Sequence, residues 1–173
     1  MRRPGNAGAN ASAAKAHDQG EPVQPGELAQ YIHEHIPLSK AMGVSVVAVE
    51  DDAITLQAPL EPNLNHRQTV FGGSASALAI LASWSLLHVR LHGQGIADRL
   101  VIQRNSMEYQ YPILGQFTAR SMLERPEAWR QFTIMLARRG KARITVLAVL
   151  EHTGRVAGRF SGQFVAVGNG GKS

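Results

Sequence analysis

The feature that most constrains this chain is a long stretch without charged side chains. Between Arg67 and Arg90 the sequence QTVFGGSASALAILASWSLLHV contains no Asp, Glu, Lys or Arg. A helix that is apolar on nearly every side must be surrounded by lipid or by protein. The stretch is long enough to cross a bilayer, so this feature alone leaves both environments open.

The rest of the sequence favours a soluble core helix. The stretch is rich in Ser and Ala, contains a Gly-Gly pair near its start and includes His88. Amphipathic strand patterns follow it, and such strands need a core to cover their apolar faces. We therefore predict a helix enclosed by a sheet, and no membrane span.

The flanking patterns predict the other elements. Residues 26–43 predict a short amphipathic helix that ends before Pro37, because the residue before a proline is disfavoured in helical conformation. Residues 44–60 predict a hairpin that turns at Asp51-Asp52. The fold class that follows is α+β, with one long central helix wrapped by an antiparallel sheet of about six strands. Strand patterns after the central helix cover residues 99–111, 115–124, 129–138, 142–151 and 158–167.

Length and composition indicate one folded domain with tails. A chain of 173 residues is about one domain. Residues 1–26 contain no Leu, Ile, Phe, Tyr or Trp and cannot bury enough apolar surface to offset their ordering entropy. We predict a flexible tail over 1–26, a domain over 27–168 and a short tail over 169–173. The start lacks the apolar segment of a secretory signal and the chain has no cysteine, so we expect a cytoplasmic protein.

Positive charge is concentrated in the last quarter of the chain. The formal net charge is +5, and after Ala128 the one acidic residue is Glu151. This pattern is typical either of a solvated basic edge or of a surface for the phosphates of a thioester substrate or an acidic carrier protein. Nucleic acid is not a predicted partner, because no aromatic residues interleave with the arginines in a recognisable motif.

Two motifs resemble those of a known family. The segment NHRQTVFGG (65–73) resembles the Asn-x-x-Gly-Thr-x-His-Gly-Gly signature of hotdog-fold acyl-thioesterases, and YQYPILG (109–115) resembles the Tyr-x-x-Pro segment that closes the third strand in that superfamily. The chain resembles the thioesterase domain at the C-terminus of some bacterial acetyltransferase-like proteins, from Glu27 to Gly168. The resemblance implies a hotdog fold, an acyl-CoA or acyl carrier protein substrate, and a site between subunits of a homodimer or tetramer.

The glycine pair is the first candidate for the chemistry. Gly72 and Gly73 lie where the central helix should begin, and a helix start offers unpaired N–H groups and a partial positive charge. A glycine also lets a substrate carbonyl approach the backbone closely. An N–H near Gly73 is therefore a candidate oxyanion hole, and Gly72, Phe71 and Ser74 are candidate substrate contacts. The alternative is that the pair only makes a tight turn.

Two further candidates precede the glycines. The resemblance implies that Asn65 positions the attacking water, whereas the alternative is an asparagine that caps its own loop. His66 is a candidate general base near neutral pH, and the alternative is a surface histidine.

The sequence also departs from the family pattern. Phe71 replaces the histidine before Gly-Gly, and Ile80 stands where many hotdog thioesterases carry a helix carboxylate. A general base must then come from His66, from the strand that carries Glu108, or from a partner subunit, unless the oxyanion hole and Asn65 suffice.

Two other functions are open beside thioester hydrolysis. A non-catalytic acyl-thioester binder is favoured by the missing carboxylate, and a 3-hydroxyacyl dehydratase is disfavoured because its histidine loop and helix glutamate are not seen. No cofactor and no metal are expected, since the chain has no cysteine and His33 and His35, two residues apart, cannot share one helix face.

Overall fold

The computed structural model describes residues 23–96 and 98–168. The predicted tails lie largely outside these ranges, and the first helix begins just before the predicted domain boundary at Glu27. The helices are α1 (Pro25–His35), α2 (Pro37–Ala41), α3 (Gly72–His92) and α4 (Ala128–Arg139), with a 3₁₀ turn at Glu61–Asn63. The strands are β1 (Ser45–Val49), β2 (Ala53–Ala58), β3 (Asp98–Tyr109), β4 (Phe117–Leu123), β5 (Lys141–His152) and β6 (Arg155–Gly168).

The six strands form one antiparallel sheet in the order β1-β2-β4-β5-β6-β3. The β1–β2 hairpin turns at residues 50–52, as the Asp51-Asp52 pair predicts. Strand β3 follows α3 along the chain but pairs with β6, with a bulge between Ile102 and Arg104. This connection leaves β3 at one edge of the sheet and β1 at the other.

Helix α3 lies against the sheet and packs on β2, β3, β4 and β5. By length and composition it qualifies as a possible membrane span. In the structure its leucines and small residues are buried against the strands, as expected for the enclosed helix of a hotdog fold. The Ser121 hydroxyl on β4 lies 2.9 Å from the Ala82 carbonyl oxygen and fixes the helix to the sheet. The buried residues of α3 are Ala75, Leu78, Ala79, Leu81, Ala82, Ser83, Ser85, Leu86, Leu87 and Leu91.

The prediction of a strand over residues 129–138 is wrong, because this segment belongs to α4. Its buried residues Trp129, Phe132 and Leu136 recur at intervals of three and four, which is the period of a helix face. The helix ends at Gly140, whose φ of 65° is left-handed and whose N–H donates to the Leu136 carbonyl at 2.8 Å. The apolar face of α4 packs on β5 beyond the end of α3.

Helix α4 contacts the C-terminal end of α3 through one cation–π pair. The Arg90 guanidinium lies 4.4 Å from the centre of the Trp129 ring. Burial lowers the pKa of Arg90, while Asp52 and Asp51 in the β1–β2 turn act in the opposite direction. The two ends of α3 therefore have different neighbours, and α4 lies at the end that is distant from the glycine pair.

A column of stacked rings joins α1 to α3. The Tyr31 ring lies 4.1 Å from that of His35 and 4.7 Å from that of His88, between centroids. The His88 ring also stacks on Trp84 at 4.7 Å. Burial lowers the pKa of His88 to about 4, and the neighbouring His92 and His35 act in the same direction. A neutral imidazole is therefore part of the α1–α3 contact.

This contact predicts that the protein loses stability on mild acidification. Below the ordinary histidine pKa of 6.5 the unfolded chain binds a proton at His88, whereas the folded chain does not until the pH reaches about 4. The free energy of unfolding should therefore fall as the pH is lowered through this window. His88→Phe keeps a ring in the column, removes the titration and should flatten the dependence. Urea denaturation at neutral pH and at about pH 4.5 measures this change in the free energy of unfolding.

The exposed loop residue His66 gives the matched control. His66→Phe should retain the wild-type pH dependence of stability. If His88→Phe and the wild type lose stability equally between the two pH values, His88 is not the group responsible.

Candidate active site at the start of α3

The loop that leads into α3 is held by the side chain of Asn65. Its Oδ1 accepts hydrogen bonds from the backbone N–H of Arg67 at 2.8 Å and of Thr69 at 3.2 Å. Its Nδ2 donates to the Thr69 Oγ1 at 2.8 Å. The Asn65 backbone N–H donates to the Thr69 carbonyl at 2.8 Å. The amide thus fixes the conformation of the loop and the position of the Thr69 side chain.

Three further hydrogen bonds place the start of α3 against neighbouring segments. The Val70 N–H donates to the Ile113 carbonyl at 2.9 Å, and the Phe71 N–H donates to the Asn63 carbonyl at 2.7 Å. The Tyr109 hydroxyl, at the end of β3, donates to the Gly72 carbonyl at 3.0 Å. The segment that resembles Tyr-x-x-Pro therefore meets the glycine pair in space.

The first turn of α3 has open backbone donors. Phe71 occupies the N-cap position and its side chain cannot accept a hydrogen bond, and no side chain caps the helix in the described part of the chain. The first intrahelical bond at this end runs from the Ala75 N–H to the Phe71 carbonyl. The N–H groups of Gly72, Gly73 and Ser74 therefore have no intrahelical acceptor and point toward the helix start.

The Phe71 ring occupies the space beside Gly73 that a side chain at this residue would take. Phe71 is 57% exposed, and its ring folds over the Gly73 backbone, where a Cβ would overlap the ring. A Cβ on Gly72 would lie 3.4 Å from the Tyr109 ring. Both glycines thus allow an aromatic side chain to approach the backbone beside the free N–H groups.

A cavity of about 360 Å³ opens beside this turn. It lies between the loop, the helix start and the end of β3, and its floor comes from β5 and β6. The volume is within the range of small-molecule sites and the lining is mostly apolar. The lining residues are Thr69, Val70, Gly72, Ala75, Met107, Tyr109, Gln110, Tyr111, Pro112, Ile113, Leu150 and Ala157.

Of the predicted site residues, some line this cavity and others lie outside its lining. Gly72 lines it, and Gly73 follows in the same helical turn with Phe71 folded over it. Ser74 is half-buried and is not among the lining residues. Asn65 also stays outside the lining, and its Nδ2 contacts two lining residues, the Thr69 hydroxyl at 2.8 Å and the Val70 carbonyl at 3.5 Å.

The two candidate bases lie away from the cavity. His66 is exposed, and its Nε2 accepts from the Arg67 Nε–H at 3.3 Å. Glu108 is exposed, whereas its neighbours Met107 and Tyr109 line the cavity, so strand alternation directs the Glu108 side chain to the opposite face of the sheet.

Sequence reasoning did not single out Thr69 and Tyr109. Thr69 occupies the threonine position of the Asn-x-x-Gly-Thr-x-His-Gly-Gly signature, and Tyr109 is the tyrosine of the Tyr-x-x-Pro segment, so both signals were present. Their contacts with Asn65 and Gly72 become visible only when the loop and β3 are placed together.

The loop also contains a left-handed residue at the position where the signature has glycine. Gln68 stands there with a left-handed φ of 61°, and its N–H donates to the Asn65 carbonyl at 3.2 Å. A left-handed conformation is strained for a residue with a Cβ. The loop therefore has the turn that a glycine would favour, with a glutamine in its place.

Comparisons with known proteins agree with this architecture. Residues 26–168 match the family described as "Putative thioesterase (yiiD_Cterm)". A crystal structure of a protein of unknown function from Chlorobaculum tepidum is 29% identical, covers 86% of this chain and 99% of its own, and superposes with a TM-score of 0.79. The crystal structure of a "putative thioesterase from Shewanella oneidensis" is 23% identical, covers 83% of this chain and 96% of its own, and has a TM-score of 0.72. A thioesterase of Haemophilus influenzae shares the fold at 13% identity, with 86% and 93% coverage and a TM-score of 0.68.

The left-handed turn predicts that Gln68→Gly stabilises the protein. Removing the Cβ relieves the strain, while the more flexible unfolded chain offsets part of the gain, so the free energy of unfolding should rise by up to about 1 kcal/mol. Arg67→Gly, at a neighbouring position without positive φ, should lower it by about 0.5–1 kcal/mol. Chemical denaturation of both variants measures the difference. A loss of stability in Gln68→Gly equal to that in Arg67→Gly would contradict the assignment of strain.

Proposed function

This chain belongs to the family described as "Putative thioesterase (yiiD_Cterm)", and on that premise we propose that it hydrolyses acyl thioesters at the start of α3. The observation that carries the proposal is the uncapped helix start, whose free N–H groups adjoin an apolar cavity. The proposed substrate class is acyl-CoA or acyl carrier protein thioesters, and the absence of cysteine fits a cytoplasmic enzyme.

The helix start polarises the thioester carbonyl in this proposal. The carbonyl oxygen accepts a hydrogen bond from the Gly73 N–H, which lies in the positive end of the α3 dipole. Negative charge develops on this oxygen when water attacks, so the interaction strengthens in the transition state. Glycine at 72 and 73 adds no side chain of its own beside these N–H groups.

Thr69 is the proposed hydroxyl donor to the reacting groups. Its Oγ1 already accepts from the Asn65 Nδ2–H at 2.8 Å, so its own proton is free to donate into the cavity that it lines. It can donate to the attacking water or to the carbonyl oxygen. Asn65 then acts as a positioning residue through Thr69, in place of direct contact with water.

The reaction adds water across the C–S bond. The water oxygen attacks the carbonyl carbon, the carbon–sulfur bond breaks, and the two protons of water end on the thiol and the carboxylic acid. No carboxylate or imidazole lines the cavity within the described ranges. His66 is the proposed base on this loop, and because it lies outside the lining it acts through an intervening water.

The cavity indicates where the acyl group binds. Beyond the helix start its walls are the side chains of Ala75, Met107 and Leu150, which are apolar. A volume of about 360 Å³ suits a small acyl group. We propose that the acyl chain points into this space while the thiol carrier lies on the open side near Phe71.

The active form is a homodimer in this proposal. Strand β3 is twelve residues long and its outer edge has no strand neighbour in the described part of the chain. A long exposed edge favours pairing with another strand, and Val101 on it is 54% exposed. Pairing of β3 with its symmetry copy would also cover Tyr109 and the open side of the site.

A non-catalytic acyl-thioester binder is the second candidate. The observation in its favour is the cavity lining, which supplies polar donors but no carboxylate in the described chain. A panel of acyl thioesters separates the two functions. Release of free thiol above the uncatalysed rate supports hydrolysis, and saturable binding without release supports the binder.

The hydrogen bond between Asn65 and Thr69 predicts how turnover depends on the hydroxyl. Thr69→Val removes the hydroxyl at nearly constant volume and should lower kcat by roughly ten- to a hundredfold, the range for one polar contact to the transition state. Asn65→Ala should lower kcat by at least a similar factor, because it removes the hydrogen bond that positions this hydroxyl and also two that hold the loop. The double variant should lose less than the product of the two single losses, because both changes act through the same hydroxyl. Initial rates of thiol release measure these effects.

Two variants act as controls for this prediction. Thr69→Ser retains the hydroxyl and should keep most of the activity. His66→Ala tests the base separately, since loss of a general base should lower kcat and flatten its pH profile. Wild-type kcat in Thr69→Val would reject the role proposed for Thr69.

The edge strand predicts the oligomeric state. Light scattering should give a mass of about twice the 18.7 kDa of the chain, or four times if dimers associate. Val101→Lys places a charge on the exposed edge of β3 and should shift the protein toward monomer. Val47→Lys makes the same change on β1, the opposite edge strand, where the valine is 48% exposed. This variant should not shift the protein toward monomer. A monodisperse wild-type monomer at micromolar concentration would contradict the dimer.

A further inference from the structure

A second cavity lies at the other end of the molecule, between α4 and β5. It has a volume of about 670 Å³ and adjoins a smaller one of about 170 Å³ that shares Arg125, Ala128 and Arg143. Strand β4 ends at Leu123, which pairs with Val146, so residues 141–145 of β5 extend beyond it. The groove follows this extension.

Four cations line the groove, and they come from the β4–α4 loop, from α4 and from β5. Arg125 precedes α4, Arg139 ends it, and Lys141 and Arg143 begin β5. The carboxylates in the combined lining are Glu127 and Glu124.

Within the described part of the chain, none of these four cations forms an ion pair. The ion pair of the described chain, Arg120 with Glu50, involves none of them. The Arg143 Nε–H donates to the neutral Gln103 Oε1 at 3.0 Å, which orients the guanidinium without cancelling its charge. Unpaired cations that share a concave surface create a local positive potential, which favours a ligand with several negative charges.

The floor of the groove is apolar. Ala128, Phe132, Met135 and Ala142 line it, and Gln131 adds an amide that can both donate and accept. Apolar walls with a few polar groups are typical of small-molecule sites, and this volume lies within their range. Inorganic anions would use only the cations, whereas a planar heterocycle that carries phosphates would use the floor as well.

The groove is distant from the carbonyl-binding turn of the same subunit. Helix α3 has 21 residues and is about 30 Å long, with the glycine pair at one end. Arg90, close to the other end, contacts Trp129 of α4. The groove lies beyond that contact, so one subunit contains two separate regions that can hold ligands.

We propose that the groove between α4 and β5 is a binding site for a phosphorylated nucleotide, with the phosphates on Arg125, Arg139 and Lys141 and the base against the half-buried Met135 on the apolar floor. The site does not depend on thioester hydrolysis at the start of α3.

Isothermal titration of the full chain with adenosine 3′,5′-bisphosphate tests the site without turnover. The wild type should bind this probe, more weakly as ionic strength rises, because salt screens exposed charges. Arg139→Glu should weaken binding by about tenfold or more, the cost of losing a charge-assisted contact. The matched control is Arg138→Glu, the adjacent exposed arginine outside the lining, and it should stay within about twofold of the wild type since it loses only long-range attraction.

Two further probes fix the ligand class and separate this site from the other. Unphosphorylated adenosine should bind far more weakly than the bisphosphate, and inorganic phosphate should not compete at equal concentration. Thiol release from a small N-acetylcysteamine thioester, which has no nucleotide, should be unchanged in Arg139→Glu. Absence of binding to the wild type, or equal losses in Arg138→Glu and Arg139→Glu, would overturn the proposal, whether or not the protein hydrolyses thioesters.

Discussion

Enclosure of α3 by the antiparallel sheet is the constraint on which the other features depend. A helix of 21 residues surrounded by strands must be almost free of charge, since an unpaired buried charge is strongly unfavourable. The same enclosure fixes the direction of the helix, so its amino-terminal turn lies against the end of β3. Burial of α3 against the sheet stabilises the fold, and it also directs the free N–H groups at the start of the helix toward a cavity.

The loop before α3 relies on hydrogen bonds more than on apolar packing. The Asn65 side chain forms hydrogen bonds with the Thr69 backbone N–H and with the Thr69 hydroxyl. Gln68 adopts a left-handed backbone conformation, which closes the turn. Phe71 at the N-cap leaves the helix donors uncapped, whereas a serine or aspartate there would occupy them. A loop so constrained presents one hydroxyl and several N–H groups in a fixed arrangement, which a site for a developing oxyanion requires.

The two ends of the molecule differ in chemistry. The start of α3 is apolar and aromatic, with Phe71 and Tyr109 beside the glycine pair. The far end is cationic, because α4 and the first residues of β5 place their arginines and lysine around one groove. The uneven distribution of charge along the sequence becomes an uneven distribution in space, since the basic segment 137–143 spans the end of α4 and the start of β5.

The sequence by itself determined the central helix, its start at the glycine pair, the first hairpin and a sheet of about six strands, because these follow from local periodicity and from the need to cover an uncharged helix. It did not determine residues 129–138. Their apolar side chains fit both periods, and only packing of Trp129, Phe132 and Leu136 on the inner face of β5 selects the helix. The sequence also identified the segment that contains the candidate site but not the roles within it. Whether Asn65 faces a cavity or holds Thr69, and whether Glu108 points inward, depends on how a loop, a helix end and a strand meet, and such contacts between distant residues exist only in the tertiary structure.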